Sequence, residues 1–186
     1  MQTDEQLVDA SLAGSDGAFE ELVCRYQQRL LRFLLTRSAS KEDAEDAIQD
    51  TFVSAYRYLY SFNPKWRFST WIYRIALRNI ARQAAASTAE SEDVELLVDE
   101  RSDPLQECLD ESVLSNVWLT AKHVLPDDAY AAMWLRYVED MSVKDIAKAL
   151  DRSVSWAKVT LMRGRRRLES ELSDAPTDPA RSESYG

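Results

Sequence analysis

The stretch Met141-Ser142-Val143-Lys144-Asp145-Ile146-Ala147-Lys148-Ala149-Leu150-Asp151-Arg152-Ser153-Val154-Ser155-Trp156-Ala157-Lys158-Val159-Thr160-Leu161-Met162-Arg163-Gly164-Arg165-Arg166-Arg167-Leu168 decides the fold. Ser142, with Asp145 three residues on, reads as a capping box that opens a short helix. Ile146, Ala147 and Leu150 face inward on that helix. The triplet Asp151-Arg152-Ser153 makes a turn, and a second helix follows in which Val154, Ala157, Leu161 and Leu168 keep a 3–4 spacing. From Arg152 to Leu168 there is no acid, and the bases are Arg152, Lys158, Arg163, Arg165, Arg166 and Arg167. A short capped helix, a three-residue turn and a basic second helix predict a helix-turn-helix. An ordinary helical hairpin fits the periodicity too, but it needs neither an acid-free helix nor three consecutive arginines. In the helix-turn-helix reading Ser155, Trp156, Lys158 and Val159 reach base edges. Arg152, Arg163, Arg166 and Arg167 then hold phosphates.

Upstream, Leu114, Val117, Trp118, Ala121 and Leu125 predict a helix that Pro126 breaks, and another covers Asp127 to Val138. Between Ala84 and Val113 lie ten acids and one base, Arg101, a sum of −9 that equals the net charge of the whole chain. The rest of the chain is therefore neutral overall, and local patches decide what it binds, because charges more than about 10 Å apart are screened at 0.1 M salt. The acidic stretch reads as a solvated linker, residues 87–112, and the end of the chain, residues 173–186, as a disordered tail.

The N-terminal half, residues 1–86, is predicted helical throughout. A first helix near Asp4 to Ala13 is capped by Thr3 and stopped by Gly14. A second, Asp16 to Leu35, carries Phe19, Leu22, Val23, Tyr26, Leu30, Phe33 and Leu34 on one face. A third begins after Ser40, buries Ile48, Phe52, Ala55 and Leu59, lines another face with Glu42, Asp46, Gln49 and Asp50, and ends at Asn63-Pro64. A fourth, Thr70 to Ala85, follows a loop and turns Trp71, Ile72, Ile75 and Ile80 inward. From Asn63 to Gln83 there is again no acid, and Lys65, Arg67, Arg74, Arg78 and Arg82 alternate with Trp66, Phe68, Trp71 and Tyr73. Cations that track a backbone and rings that stack on bases are what an unpaired nucleic-acid strand rewards.

Four glycines and five prolines in 186 residues favour an all-α fold. No apolar run approaches the ~20 residues of a membrane helix, and Met1 to Glu5 begins no secretory signal. Cys24 and Cys108 stand far apart and read as reduced thiols. One histidine, His123, no Gly-rich phosphate loop and no Cys/His pairing leave nothing for an enzyme or a metal site to use, so no catalytic residue, cofactor or metal is expected.

The order of these features resembles one family. Leu125-Pro126-Asp127-Asp128, Leu135-Arg136-Tyr137, Met141 to Ala147, Ser153-Val154, Lys158 and Arg163 to Leu168 resemble the C-terminal domain of extracytoplasmic-function sigma factors of bacterial RNA polymerase, in the sigma-70 family. Asp43 to Phe52 with Ala55-Tyr56-Arg57 is similar to that family's clamp-docking helix, and Phe68 to Ala76 to its minus-ten helix. The resemblance covers Ser15 to Leu172. It implies two small helical domains joined by the acidic linker, the second (residues 113–172) a helix-turn-helix, winged-helix-like domain. It implies a function too: binding core polymerase and directing promoter-specific initiation with strand opening, in the cytoplasm. Core contacts fall to Asp43, Asp46, Gln49, Asp50 and Phe52. Minus-ten contacts fall to Lys65, Trp66, Arg67, Phe68, Arg74, Arg78 and Arg82, with residues 62–68 as a base-capturing loop. Minus-thirty-five contacts fall to Arg152, Ser153, Ser155, Trp156, Lys158, Val159, Arg163, Arg166 and Arg167. The implied partners are the polymerase β′ clamp helices and β flap, promoter DNA and an anti-sigma factor. The alternative is a helix-turn-helix regulator that binds duplex DNA without polymerase. The sequence departs from the family pattern at Arg78, Asn79, Arg82 and Ala84-Ala85-Ala86, and at Trp156, Val159, Thr160, Met162 and Gly164.

Overall fold

The computed structural model describes residues 2–38, 40–90 and 113–174. The described residues are helical and contain no strand, so the helix-turn-helix stands there without a wing. The helices are α1 (Asp4–Leu12), α2 (Asp16–Leu35), α3 (Lys41–Arg57), α4 (Phe68–Glu90), α5 (Val113–Val124), α6 (Asp127–Tyr137), α7 (Val143–Ala149) and α8 (Val154–Asp174), with a short 3-10 turn at Leu59–Ser61.

Local chemistry sets the helix ends. Thr3 closes a full capping box with Gln6, and Gly14, at φ 95°, supplies the left-handed turn between α1 and α2. The Ser40 hydroxyl accepts from the Asp43 N–H at 3.1 Å, and Ser142 does the same for Asp145 at 3.2 Å. Each cap satisfies one of the N–H groups that a helix start leaves without an intrahelical partner. Asp4 ties α1 to α2 through Arg25 at 2.9 Å and through the Tyr26 hydroxyl.

The N-terminal core forms where α1, α3 and α4 pack on α2, with Leu22, Leu30, Phe33, Leu34, Ile72 and Tyr73 fully buried. The line that α3 buries differs from the expected one. It is Ala44, Ala47, Thr51 and Ala55, and Ile48 and Phe52 are only half-buried beside it. Small side chains let α3 lie close on α4, where Thr51 donates to the Ala47 carbonyl at 2.6 Å and Asn79 reaches the Thr51 hydroxyl at 3.5 Å. The helix ends at Arg57 rather than at Asn63-Pro64, because the 3-10 turn intervenes and buries Leu59. Helix α4 begins earlier than predicted, at Phe68, and runs on to Glu90, so residues 87–90, assigned above to the linker, are helical. Residues 91–112 of the expected linker and 175–186 of the expected tail lie outside the described residues; the tail's first two, 173 and 174, belong to α8.

In the C-terminal half Trp118, Tyr130 and Trp134 form an aromatic cluster with ring centroids 5.0 to 6.1 Å apart. Ala157, Gly164 and Leu168 turn α8 onto α5, α6 and α7. A Cβ at Gly164 would lie 3.2 Å from the flexible Met133 side chain, so α8 passes close to α6 at this point.

The two halves pack against each other through α4 and α7. Glu139, in the α6–α7 turn, has a side chain with 0% exposure and pairs with Arg29 of α2. Asp151, in the turn before α8, pairs with Arg74 of α4 at 3.0 Å. Arg37 donates to the Asp127 carbonyl at 2.8 Å, and Phe33 meets Trp134 at 6.4 Å between centroids.

Candidate nucleic-acid interface

Around α8, at 100° per residue, Ala157, Gly164 and Leu168 mark the buried side. Lys158, Arg163, Arg166 and Arg167 are all exposed, and none has an ion-pair partner among the described residues. Arg165, by contrast, is paired with Glu169 at 2.7 Å. Ser155 and Val159 are also exposed. Two expected base or phosphate contacts have other work. The Ser153 hydroxyl caps α8 by accepting from the Trp156 N–H at 3.1 Å. Arg152 pairs with Asp128 at 2.7 Å and lies over the Trp156 ring at 5.6 Å. Trp156 itself is half-buried and borders a cleft of about 370 Å³ with Leu125, Pro126 and Ala129. The ring expected at base edges thus also packs on protein, beside a cleft that Arg163 and Arg167 line with it.

The second surface is built on the loop before α4. Asn63 closes it twice, accepting from the Trp66 N–H at its carbonyl, 3.0 Å, and from the Lys65 N–H at its side chain, 3.0 Å. This turn sets Trp66 over a cavity of about 230 Å³, walled by Trp71, Thr70 and Arg74 and covered from the C-terminal half by Lys148. The Lys148 ammonium lies 5.3 Å from the Trp66 ring centroid. Thr70 Oγ1 and Arg74 Nε are buried with no hydrogen-bond partner among the described residues. Lys65, Arg67, Arg78 and Arg82 are exposed. Phe68 is not part of this surface: it is 1% exposed and packs edge-on against Tyr26 and Phe62, at 5.4 and 5.9 Å. Trp71, expected in the core, is half-buried and shared between that aromatic cluster and the cavity.

On α3, Asp43, Asp46 and Gln49 are exposed. Asp50 is half-exposed and pairs with Arg82 of α4 at 3.1 Å, which joins a candidate polymerase contact to a candidate DNA contact. Phe52 is half-buried against the core and is not a free surface residue.

Electrostatics concentrate where the halves meet. Burial works against the charge on Arg29, and the adjacent Glu139 carboxylate overrides it, holding the guanidinium above its ordinary value. Burial, reinforced by Glu139, pushes the Tyr73 hydroxyl far above the tyrosine range. Burial and then the bond to Asp4 do the same for Tyr26. Glu139, Lys148 and Asp151 carried no sequence signal, since each matters only through a residue distant in the chain. Met162 was legible: it shares the outward line of α8 with Ser155 and Val159, at a spacing of seven and three.

These surfaces define a class, a helical protein with an exposed basic second helix in a helix-turn-helix and a separate surface that mixes aromatic and basic side chains. A model of sigma-70 region 2 matches residues 22–94, and one of sigma-70 region 4 matches residues 117–168. The ECF RNA polymerase sigma-E factor of Haemophilus influenzae is 33% identical over 91% of this chain and 95% of its own length. The RNA polymerase sigma-H factor of Pseudomonas aeruginosa is 28% identical over 92% and 94%. Among solved structures, CnrH in complex with the cytosolic domain of CnrY shares the fold at a TM-score of 0.66 and 23% identity, over 92% of this chain and 98% of that one. The chain belongs to the sigma-70 family, as a sigma factor of the extracytoplasmic-function (ECF) kind. It directs RNA polymerase to promoters and so initiates transcription.

Proposed function

We propose that the three surfaces divide the work of initiation. The exposed polar face of α3, with Asp43, Asp46, Gln49 and Asp50, docks on basic residues of the polymerase β′ clamp, and the C-terminal half meets the β flap. Helix α8 enters the major groove of the minus-thirty-five element, with Lys158, Arg163, Arg166 and Arg167 on phosphates. Trp66, Trp71, Thr70 and Arg74 receive an unstacked base of the minus-ten element while Lys65, Arg67, Arg78 and Arg82 follow the backbone. The observation that carries the reading is the Trp66 cavity, where aromatic walls surround two buried polar groups that lack partners. Such groups cost free energy until something bonds to them. In this reading bond formation belongs to the polymerase and the chain works beside it in the cytoplasm. An anti-sigma partner is supported by two structural neighbours, each solved in complex with a binding protein. One is CnrH with CnrY, and the other is the Bartonella quintana sigma factor RpoE with the anti-sigma factor NepR.

The test is run-off transcription with purified core polymerase on linear and on pre-melted promoters. Trp66→Ala should reduce initiation on duplex by about 5- to 150-fold, the equivalent of one lost base stack of ~1–3 kcal/mol, and by much less on a template already open. Equal loss on both templates would remove the base-capture role.

A further inference from the structure

Helix α8 lines one side of the cleft of about 370 Å³ with Trp156, Thr160, Arg163 and Arg167, which share one stripe of the helix. The joint between α5 and α6 lines the other side with Leu125, Pro126 and Ala129. The floor is therefore apolar and the rim cationic. Asp128 is the acid of this lining, and its charge is already taken by Arg152 at 2.7 Å. Arg163 and Arg167 are exposed and have no ion-pair partner among the described residues. The occupant that fits is a short apolar run with acids directly beside it.

The chain itself contains such a run. Leu96-Leu97-Val98 is followed by Asp99-Glu100, in the middle of a stretch, residues 91–112, with nine acids and one base. Asp99 stands nine residues after Glu90, the end of α4, and 14 before Val113, the start of α5. Those spans reach at most about 30 and 46 Å. Helix α5 has 12 residues, is about 18 Å long, and has the cleft at its far end. The chain before Val113 is thus long enough to return along α5. A tethered occupant also acts at an effective concentration in the millimolar range, so contacts too weak to hold a free peptide hold this one.

We propose that Leu96 to Glu100 docks in this cleft of its own chain, with its apolar side chains on Leu125, Pro126 and Trp156 and its two carboxylates on Arg163 and Arg167. Docked there, it competes with duplex for those two arginines. The competition rests on the reading that α8 holds phosphates; the docking does not.

The test uses the full chain with a nitroxide on Ser102→Cys, in a background of Cys24→Ser and Cys108→Ser, and reads backbone amide signals by NMR. Without DNA, the amides of Ala129, Trp156 and Thr160 should broaden and those of α1 should not. Asp99→Asn with Glu100→Gln should remove most of that broadening. Without the label, the same double variant should bind minus-thirty-five duplex about 5-fold more tightly than the parent chain, the contribution of two exposed ion pairs. No broadening at the cleft would overturn the docking. Broadening that vanishes when labelled chain is diluted into unlabelled chain would overturn it too, because the occupant is then a second copy. Docking with unchanged duplex affinity in the double variant would overturn the competition alone. If Arg163→Gln with Arg167→Gln loses the broadening and keeps full duplex affinity, the docking stands and the α8 reading fails at these two arginines.

Discussion

Removing the Arg29 guanidinium should separate the two halves of the molecule. Glu139 has a fully buried side chain, its Oε1 has no hydrogen-bond partner among the described residues, and its cation is Arg29, itself 46% exposed. Arg29→Met keeps most of the side-chain stem and leaves a bare carboxylate in the contact between α2, α4 and the α6–α7 turn. Breaking a buried pair from one side costs about 3–5 kcal/mol. Water around the half-open Arg29 screens the pair and lowers this to about 2–3 kcal/mol. When the halves part, Glu139 is rehydrated, so the whole penalty falls on closure and shifts it toward opening by about 30- to 150-fold. Glu139→Gln should do much less, because it leaves no buried charge and Arg29 can turn to water. Small-angle scattering reports the opening as a larger radius of gyration, and hydrogen exchange reports it as lost protection in α7 and the middle of α4. Arg29→Met with an unchanged scattering profile, or Glu139→Gln with the larger effect, would refute the argument that desolvation of Glu139 governs the contact.

The pH dependence of stability should be alkaline. Tyr26 and Tyr73 both have folded values raised above the unfolded value of about 10, so their contribution is intact below that pH and is lost as pH rises through and above it. The unfolding free energy from denaturant titrations should stay level to about pH 9 and then fall, with a limiting slope of about 2.7 kcal/mol per pH unit for two protons. Tyr73→Phe should halve that slope, and an unchanged slope would exclude Tyr73 as a source. Gly164→Ala should stabilise the C-terminal half by about 0.5 kcal/mol in thermal unfolding. The helix gains about 1 kcal/mol, and Met133, 3.2 Å from the added methyl, gives way at some expense because its thioether chain is adaptable.

Much of the fold was legible because it is local. Thr3, Ser40 and Ser142 cap the helices they were expected to cap, since a cap depends on residues within one turn. The error in α3 came from weighting large apolar residues. Close approach to α4 selects Ala44, Ala47 and Ala55, and hydrophobic periodicity gives small residues little weight. The exposed cations of α8 were legible for the complementary reason, that charge without a partner stays in water. Phe68 was misplaced because an aromatic residue among arginines reads the same whether it stacks on a base or on a protein ring. Only its packing on Tyr26 and Phe62 decides the matter. The pairing of Glu139 with Arg29 spans 110 residues and had no pattern in the chain to announce it.

The C-terminal half is held by α7, by α6 and by the turns on either side of α7, and none of the contacts described between the halves comes from α8 itself. In the reading proposed above, the contact between the halves leaves the cationic face of α8 free for duplex. The surface proposed for a single strand is instead shared within the molecule, because Lys148 lies over Trp66 and Asp151 pairs with Arg74. On that reading DNA would meet one surface clear of that contact and would have to displace the molecule's own side chains from the other.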